Sequence, residues 1–113
     1  MKIPEQGYLL RIYVGESSQW QGKPLYEAIV LRAREMHLAG ATVLRGPMGF
    51  GANSRVHTAK ILRLSEDLPI VIDIVDSREK IDAFLPDVDE MVMEGLITVE
   101  SVRVFKYRSS KTP

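Results

Sequence analysis

The sequence predicts an α+β sandwich, with one antiparallel sheet covered on one side by two helices. Three observations carry this. Residues 24–39 and 77–92 have apolar residues at helical spacing, each ending near a glycine. Segments at 8–14, 41–45, 69–75 and 96–107 have strand character. Their order is β-α-β-loop-β-α-β, and two right-handed β-α-β units around one sheet give the ferredoxin-like arrangement.

Each element has its own signal. Leu10, Ile12 and Val14 alternate with Leu9, Arg11 and Tyr13, which marks a half-buried strand. Pro24 is tolerated in a helix's first turn, Leu25, Ala28, Ile29, Ala33 and Met36 form its apolar stripe, and Gly40 is the expected cap. Ala41–Arg45 returns to strand and runs into a glycine-rich loop. Ala59–Leu64 fits either a strand or a helical turn. Leu68–Val75 is the clearest strand, with Pro69 near its start and a nearly continuous apolar run expected of a central strand covered on both faces. Asp76 with Glu79 three residues on reads as a capping box. Ile81, Phe84, Leu85, Val88, Met91 and Val92 then line one helix face, opposite Asp82, Asp87, Asp89 and Glu90, with Pro86 predicted to kink the helix or start a second turn. In the last strand Ile97 and Val99 share one parity and Val102 and Val104 the other, which predicts a bulge near Glu100-Ser101. Residues 1–113 are expected to be one domain, with loose termini at 1–7 and 108–113 and a flexible loop at 50–67.

Composition narrows the function classes. The chain has 113 residues, 45 % of them apolar, no cysteine and no net charge. Disulfides, thiolate metal sites and cysteine nucleophiles are excluded, no apolar run is long enough to insert into a membrane, and neutrality argues against a general nucleic-acid binder. The start Met1–Gly7 has no hydrophobic signal core, so a cytoplasmic location is expected. Neutrality hides an asymmetry: residues 36–65 and 101–113 are basic and bracket an acidic segment.

The middle of the acid-free stretch reads Arg45-Gly46-Pro47-Met48-Gly49-Phe50-Gly51-Ala52-Asn53-Ser54-Arg55-Val56-His57. Glycines let a backbone approach a ligand, and arginines supply forked donors, so an anion can seat here with no carboxylate to compete. A solvent-exposed hairpin tip explains the same residues. His37 and His57 have no second His or Cys at ligand spacing, so neither is read as a metal ligand. Asp73 in its apolar strand fits a cap, pairing with an arginine, a wet groove or a catalytic acid. No nucleophile, base and orienting group occur together, so the chain is not expected to be an enzyme. Trp20, Tyr8, Tyr13, Tyr26 and Phe105 read as packing residues. The RNA-recognition modules of this topology present aromatics on the third strand, which Ile70–Val75 lacks. The sheet face carrying Leu9, Tyr13, Val71 and Val75 has no cover within the chain, which predicts a closed homo-oligomer.

The stretch Gly40-Ala41-Thr42-Val43 through Gly49-Phe50-Gly51, followed by a long loop and Pro69–Val75, resembles the PII signalling proteins over residues 8–107. Gly15-Glu16-Ser17, Pro24–Ile29 and Arg45–Gly51 are similar to a family of uncharacterised PII-like proteins. The resemblance implies a homotrimer that binds an adenine nucleotide (ATP, ADP or AMP) between subunits. It implies a partner, a membrane transporter or a metabolic enzyme, contacted through the 50–67 loop. It places Thr42 near the base and Gly49, Phe50 and Gly51 along the cleft. Arg103, Lys106 and Arg108, from an adjacent subunit, reach the phosphates, with Arg55 and His57 adding to them. Where PII proteins carry a second glycine-rich phosphate loop, this chain has Met93-Glu94-Gly95-Leu96-Ile97-Thr98, so the cleft is expected to be built differently. A sensor or carrier of another small anion or a metal ion, or a small enzyme using the same cleft, is the alternative.

Overall fold

The computed structural model describes residues 5–50, 57–58 and 67–108. Strand β1 (Gln6–Gly15) is followed by a small hairpin, β2 (Gln19–Trp20) and β3 (Lys23–Pro24), then helix α1 (Leu25–Glu35). Strand β4 (Thr42–Arg45) leads to the short pair β5 (Met48–Gly49) and β6 (His57–Thr58). Strand β7 (Pro69–Asp76), helix α2 (Arg78–Met91) and strand β8 (Leu96–Arg103) complete the order. The main sheet is antiparallel with strand order β4-β7-β1-β8, the ferredoxin-like order expected of the sequence.

Strand β1 is the axis of the molecule. It begins two residues earlier than expected, so Gln6 and Gly7 belong to the sheet rather than to a loose terminus. Leu10, Ile12 and Val14 point to the helices and meet Ile70, Ile72 and Ile74 of β7. Ile29 and Ala33 of α1 and Ile81, Phe84 and Val88 of α2 close the core. The other parity of β7, with Val71, Asp73 and Val75, is only half-buried. The strand is central, but among the described residues just one of its faces is covered. Strand β8 pairs with β1 without interruption from Gln6↔Arg103 to Tyr13↔Leu96, so the expected bulge is absent. The change of apolar parity has another origin. Strand β8 lies at the sheet edge, where Val99 on the helix side stays 43 % exposed and neither face imposes strict alternation.

The helix ends also differ from the sequence reading. Helix α1 stops at Glu35, and the left-handed residue is His37 (φ 63°), not Gly40. The His37 N–H donates to the Arg34 carbonyl and the Leu38 N–H to the Ala33 carbonyl, and Leu38 is buried. These are the paired bonds and apolar contact of a Schellman cap. At α2 the cap is Ser77, whose Oγ accepts from the Lys80 N–H at 3.2 Å. Asp76 instead ends β7 and is 1 % exposed. Its carboxylate accepts from the Ala39 N–H at 2.8 Å and the Ser77 N–H at 2.6 Å. One buried side chain thus ties the exit of α1 to the start of α2. Around it, Lys80 Nζ donates to the His37 carbonyl and the Tyr107 hydroxyl to the Ala39 carbonyl. Helix α2 continues through Pro86 to Met91.

Trp20 sits in the β2–β3 hairpin. Gln21 and Gly22 both have positive φ there, the two-residue turn whose twist matches a hairpin. Trp20, Tyr8 and Tyr26 pack against the core, while Phe105 is 89 % exposed and does not. Two acids of the α2 polar face hold ion pairs: Arg32 of α1 bonds Asp87 at 2.7 Å, and Arg78 reaches Asp82 at 3.6 Å. The Asp87 hydrogen bond raises the Arg32 pKa above its ordinary value.

Two substitutions test these joints. Asp76→Ala leaves two backbone N–H groups without their acceptor and is expected to cost about 2–4 kcal/mol in urea unfolding, with Asp76→Asn costing less. At Gly95, before β8, an added Cβ would lie 2.5 Å from the Tyr13 carbonyl oxygen. Gly95→Ala is therefore expected to displace the α2–β8 connection and lower stability by roughly 1–3 kcal/mol, read by the same method.

Candidate functional site

The residues singled out by sequence lie at two ends of the sheet. At one end, β1 passes Gly15 beside Pro69 of β7, and β4 ends at Arg45. The Glu16 N–H donates to the Leu68 carbonyl, the Gly46 N–H to the Pro69 carbonyl, and the Ser17 N–H to Asp67 Oδ1 at 2.7 Å. The segments Gly15-Glu16-Ser17 and Arg45–Gly49, distant in sequence, thus share one rim with the start of β7.

The glycine loop is the stem of a hairpin at its root. Met48 pairs with Thr58 and Gly49 with His57. A Cβ on Gly46 would lie 2.9 Å from the Pro69 ring, and one on Gly49 would lie 3.0 Å from it. Both glycines approach Pro69 closely, a contact invisible in the linear sequence. The expectation of an arginine with no competing carboxylate is corrected as well: Arg45 Nη1 donates to Glu16 Oε2 at 2.7 Å. The acid is distant in the chain but adjacent through the sheet. Phe50, the last described residue of this stretch, is 68 % exposed. Gly51, Arg55 and the rest of the loop, including the ambiguous Ala59–Leu64, lie outside the described residues, and His57 is described by its backbone alone.

Arg103, Lys106 and Arg108 lie at the opposite end. Arg103 ends β8 opposite Gln6 and pairs with Glu5 at 3.1 Å. The Val104 N–H donates to the Glu5 carbonyl, extending the β1–β8 pairing by one bond. Lys106 and Arg108 are exposed beyond the strand. A shallow groove lined by Glu5, Arg103, Val104, Phe105, Lys106 and Tyr107 opens here. Strand β1 spans the two ends, a separation of about 30 Å at strand rise. One chain therefore does not bring the glycine root and the basic strand end together. Two copies can.

Thr42 lies between these ends, exposed on the uncovered sheet face. It is paired with Asp73, which in turn pairs with Arg11 of β1. Arg11 holds Asp73 with two bonds, Nε to Oδ1 at 2.7 Å and Nη2 to Oδ2 at 2.9 Å. That hydrogen bond to Asp73, followed by one to Tyr13, raises the Arg11 pKa above its ordinary value. Of the roles open to Asp73, the structure shows arginine pairing. Gly95, the one glycine between α2 and β8, is committed to its approach to Tyr13. Among the described residues no group of three or more His, Asp or Glu side chains could hold a metal ion, and no helix is long and apolar enough to cross a membrane. Sequence reasoning missed Glu16, Asp67 and Glu5 as partners. The signal that could have found them is strand register, which sets Gly15 beside Pro69 and Gln6 beside Arg103.

Comparison with known proteins agrees with this architecture. The family model DUF190, described as "Uncharacterized ACR, COG1993", matches residues 7–104. A UPF0166 protein of Aquifex aeolicus is 41 % identical over 96 residues, covering 85 % of this chain and 90 % of the relative. A UPF0166 protein of Methanocaldococcus jannaschii is 34 % identical over 99 residues, covering 87 % and 91 %. Among solved structures, the chain is similar to CPII of Thiomonas intermedia K12, a nitrogen regulatory PII-like protein bound to ADP, AMP and bicarbonate. The TM-score is 0.69 and identity 14 %, over 89 % of this chain and 90 % of that one. The GlnK–ATP complex of B. subtilis aligns with a TM-score of 0.57 and 13 % identity, over 89 % and 85 %. Sequence and fold together place this chain in the DUF190 family, with the PII-like form of the ferredoxin-like fold.

Proposed function

We propose that the chain is a PII-like regulatory protein, not an enzyme, that works in the cytoplasm as a homotrimer and binds an adenine nucleotide between subunits. The observation that carries this is the shared architecture: solved structures that align over 89 % of the chain hold ADP, AMP or ATP. The two-ended placement of the basic and glycine-rich residues supports a cleft shared between copies. In this reading Thr42, Gly49, Phe50 and Gly51 of one copy form one wall, with Arg55 and His57 rising from the loop. Arg103, Lys106 and Arg108 of a neighbour form the other. The 50–67 loop contacts a partner, a membrane transporter or a metabolic enzyme, and nucleotide signals by favouring one loop state over another.

A second reading has a specific observation behind it. The CPII structure also holds bicarbonate, so a small anion is an alternative or additional ligand for the same cleft. Arg45 and Arg103, each now held by a carboxylate, are its natural contacts.

Calorimetry with ATP, ADP, AMP and bicarbonate separates these readings. Heat with a nucleotide supports the first, heat with bicarbonate alone supports the second, and silence toward nucleotide at millimolar concentration overturns the first. Arg55→Ala and Arg103→Ala are each expected to weaken nucleotide binding at least several-fold, as the loss of charge-assisted bonds of ~1.5–3 kcal/mol requires. Unchanged affinity in both variants removes these residues from the site.

A further inference from the structure

The uncovered sheet face is not uniformly apolar. Strand register arranges it in rows. Leu96, Tyr13, Val71 and Leu44 form one row, and Glu100, Leu9 and Val75 another. Between them runs Thr98, Arg11, Asp73 and Thr42. At the centre of that polar row Arg11 and Asp73 stand on adjacent strands, joined by their two bonds, with side chains 37 % and 24 % exposed.

We propose that, where this face meets further copies of the chain in the homotrimer proposed above, the Arg11–Asp73 pair is the element that fixes the register of the contact. The inference rests on the assembly named under Proposed function and adds the residues that make it specific. The occupant follows from charge complementarity. A donor and an acceptor lie side by side, so a copy related by rotation presents a carboxylate where this one presents a guanidinium. Asp73 takes two of the five guanidinium N–H groups and Tyr13 accepts from another, and the remainder can be donated to Asp73 of the next copy. A purely apolar partner would strip water from the pair and return no bond, and a partner of one charge sign would repel half of it. Leu44 and Leu96, 56 % and 55 % exposed, supply the apolar area beside it. Packing alone lets such rows slide past one another. A pair that must meet its counterpart allows one register, at a cost in stability relative to an apolar replacement.

The test is sedimentation velocity with native mass spectrometry on the full chain, with circular dichroism to check folding. The wild type is expected to show one stoichiometry. Asp73→Asn leaves Arg11 without its charge partner and is expected to weaken assembly at least about tenfold. The exchanged double variant, Arg11→Asp with Asp73→Arg, restores it. Leu44→Glu, on an exposed edge-strand position that the core does not use, is expected to give a folded chain that no longer assembles. A wild type that stays monomeric overturns the assembly itself and this inference with it. A wild type that assembles while Asp73→Asn keeps its stoichiometry and affinity overturns the role of the pair alone. If Asp73→Asn does not fold, an exchanged variant that folds but fails to assemble overturns it equally.

Discussion

The register of β1 between β7 and β8 is the constraint on which the rest depends. Both pairings run without a break along almost the whole strand. Side chains in a strand alternate faces, so a slip of one residue would exchange them all. Leu10, Ile12 and Val14 would leave the core and Arg11 would enter it. The penalty for that exchange is what makes the sheet unique. The same register sets Gly15 at Pro69, Gln6 at Arg103 and Arg11 at Asp73. The core, the two rims and the polar row of the open face are therefore consequences of one alignment. Asp76 completes it, because its buried carboxylate locks the α1 exit to the α2 start where β7 ends.

What the sequence made legible were features with a local cause. Alternation in β1, the helical stripes of α1 and α2, and the β-branched run of β7 each act within a few residues, and each element forms where its pattern lies. The misreadings have a common form: a residue's partner is distant in the chain. Gly40 suits a helix end by type, but the left-handed residue is His37, because burial of Leu38 decides where the chain turns. Asp76 suits a cap, but the Ala39 N–H claims it from the other helix. The parity change in β8 looks like a bulge, but an edge strand need not alternate strictly. The site follows the same rule. Gly46 and Gly49 were conspicuous as glycines, yet Pro69 is what they approach. Arg45 stands in an acid-free stretch, yet Glu16 reaches it through the sheet.

The basic residues at the two rims differ in setting from the one at the centre of the open face. Arg45 with Glu16 and Arg103 with Glu5 are exposed pairs, and such pairs contribute about 0–1 kcal/mol. They hold a side chain in place without committing it. Arg11 with Asp73 is bidentate and half-buried, and separating it costs more as water is removed. The chain therefore keeps exchangeable cations at its ends and a fixed one on the open face of its sheet.

That division bears on selectivity. An anion that reaches Arg45 or Arg103 must displace a carboxylate already bonded to it. A ligand with one weak contact gains little by the exchange, since it breaks a bond of similar worth. A ligand that makes several charge-assisted bonds at once, each worth about 1.5–3 kcal/mol, gains at every contact and loses only the two weak pairs. At the proposed cleft, Glu16 and Glu5 would therefore favour multidentate anions over single ions. Because the two arginines lie about 30 Å apart along β1, no small ligand satisfies both within one chain. In the proposed assembly, copies bring opposite ends together, and the chemistry of the rims and the covering of the open face become parts of one requirement.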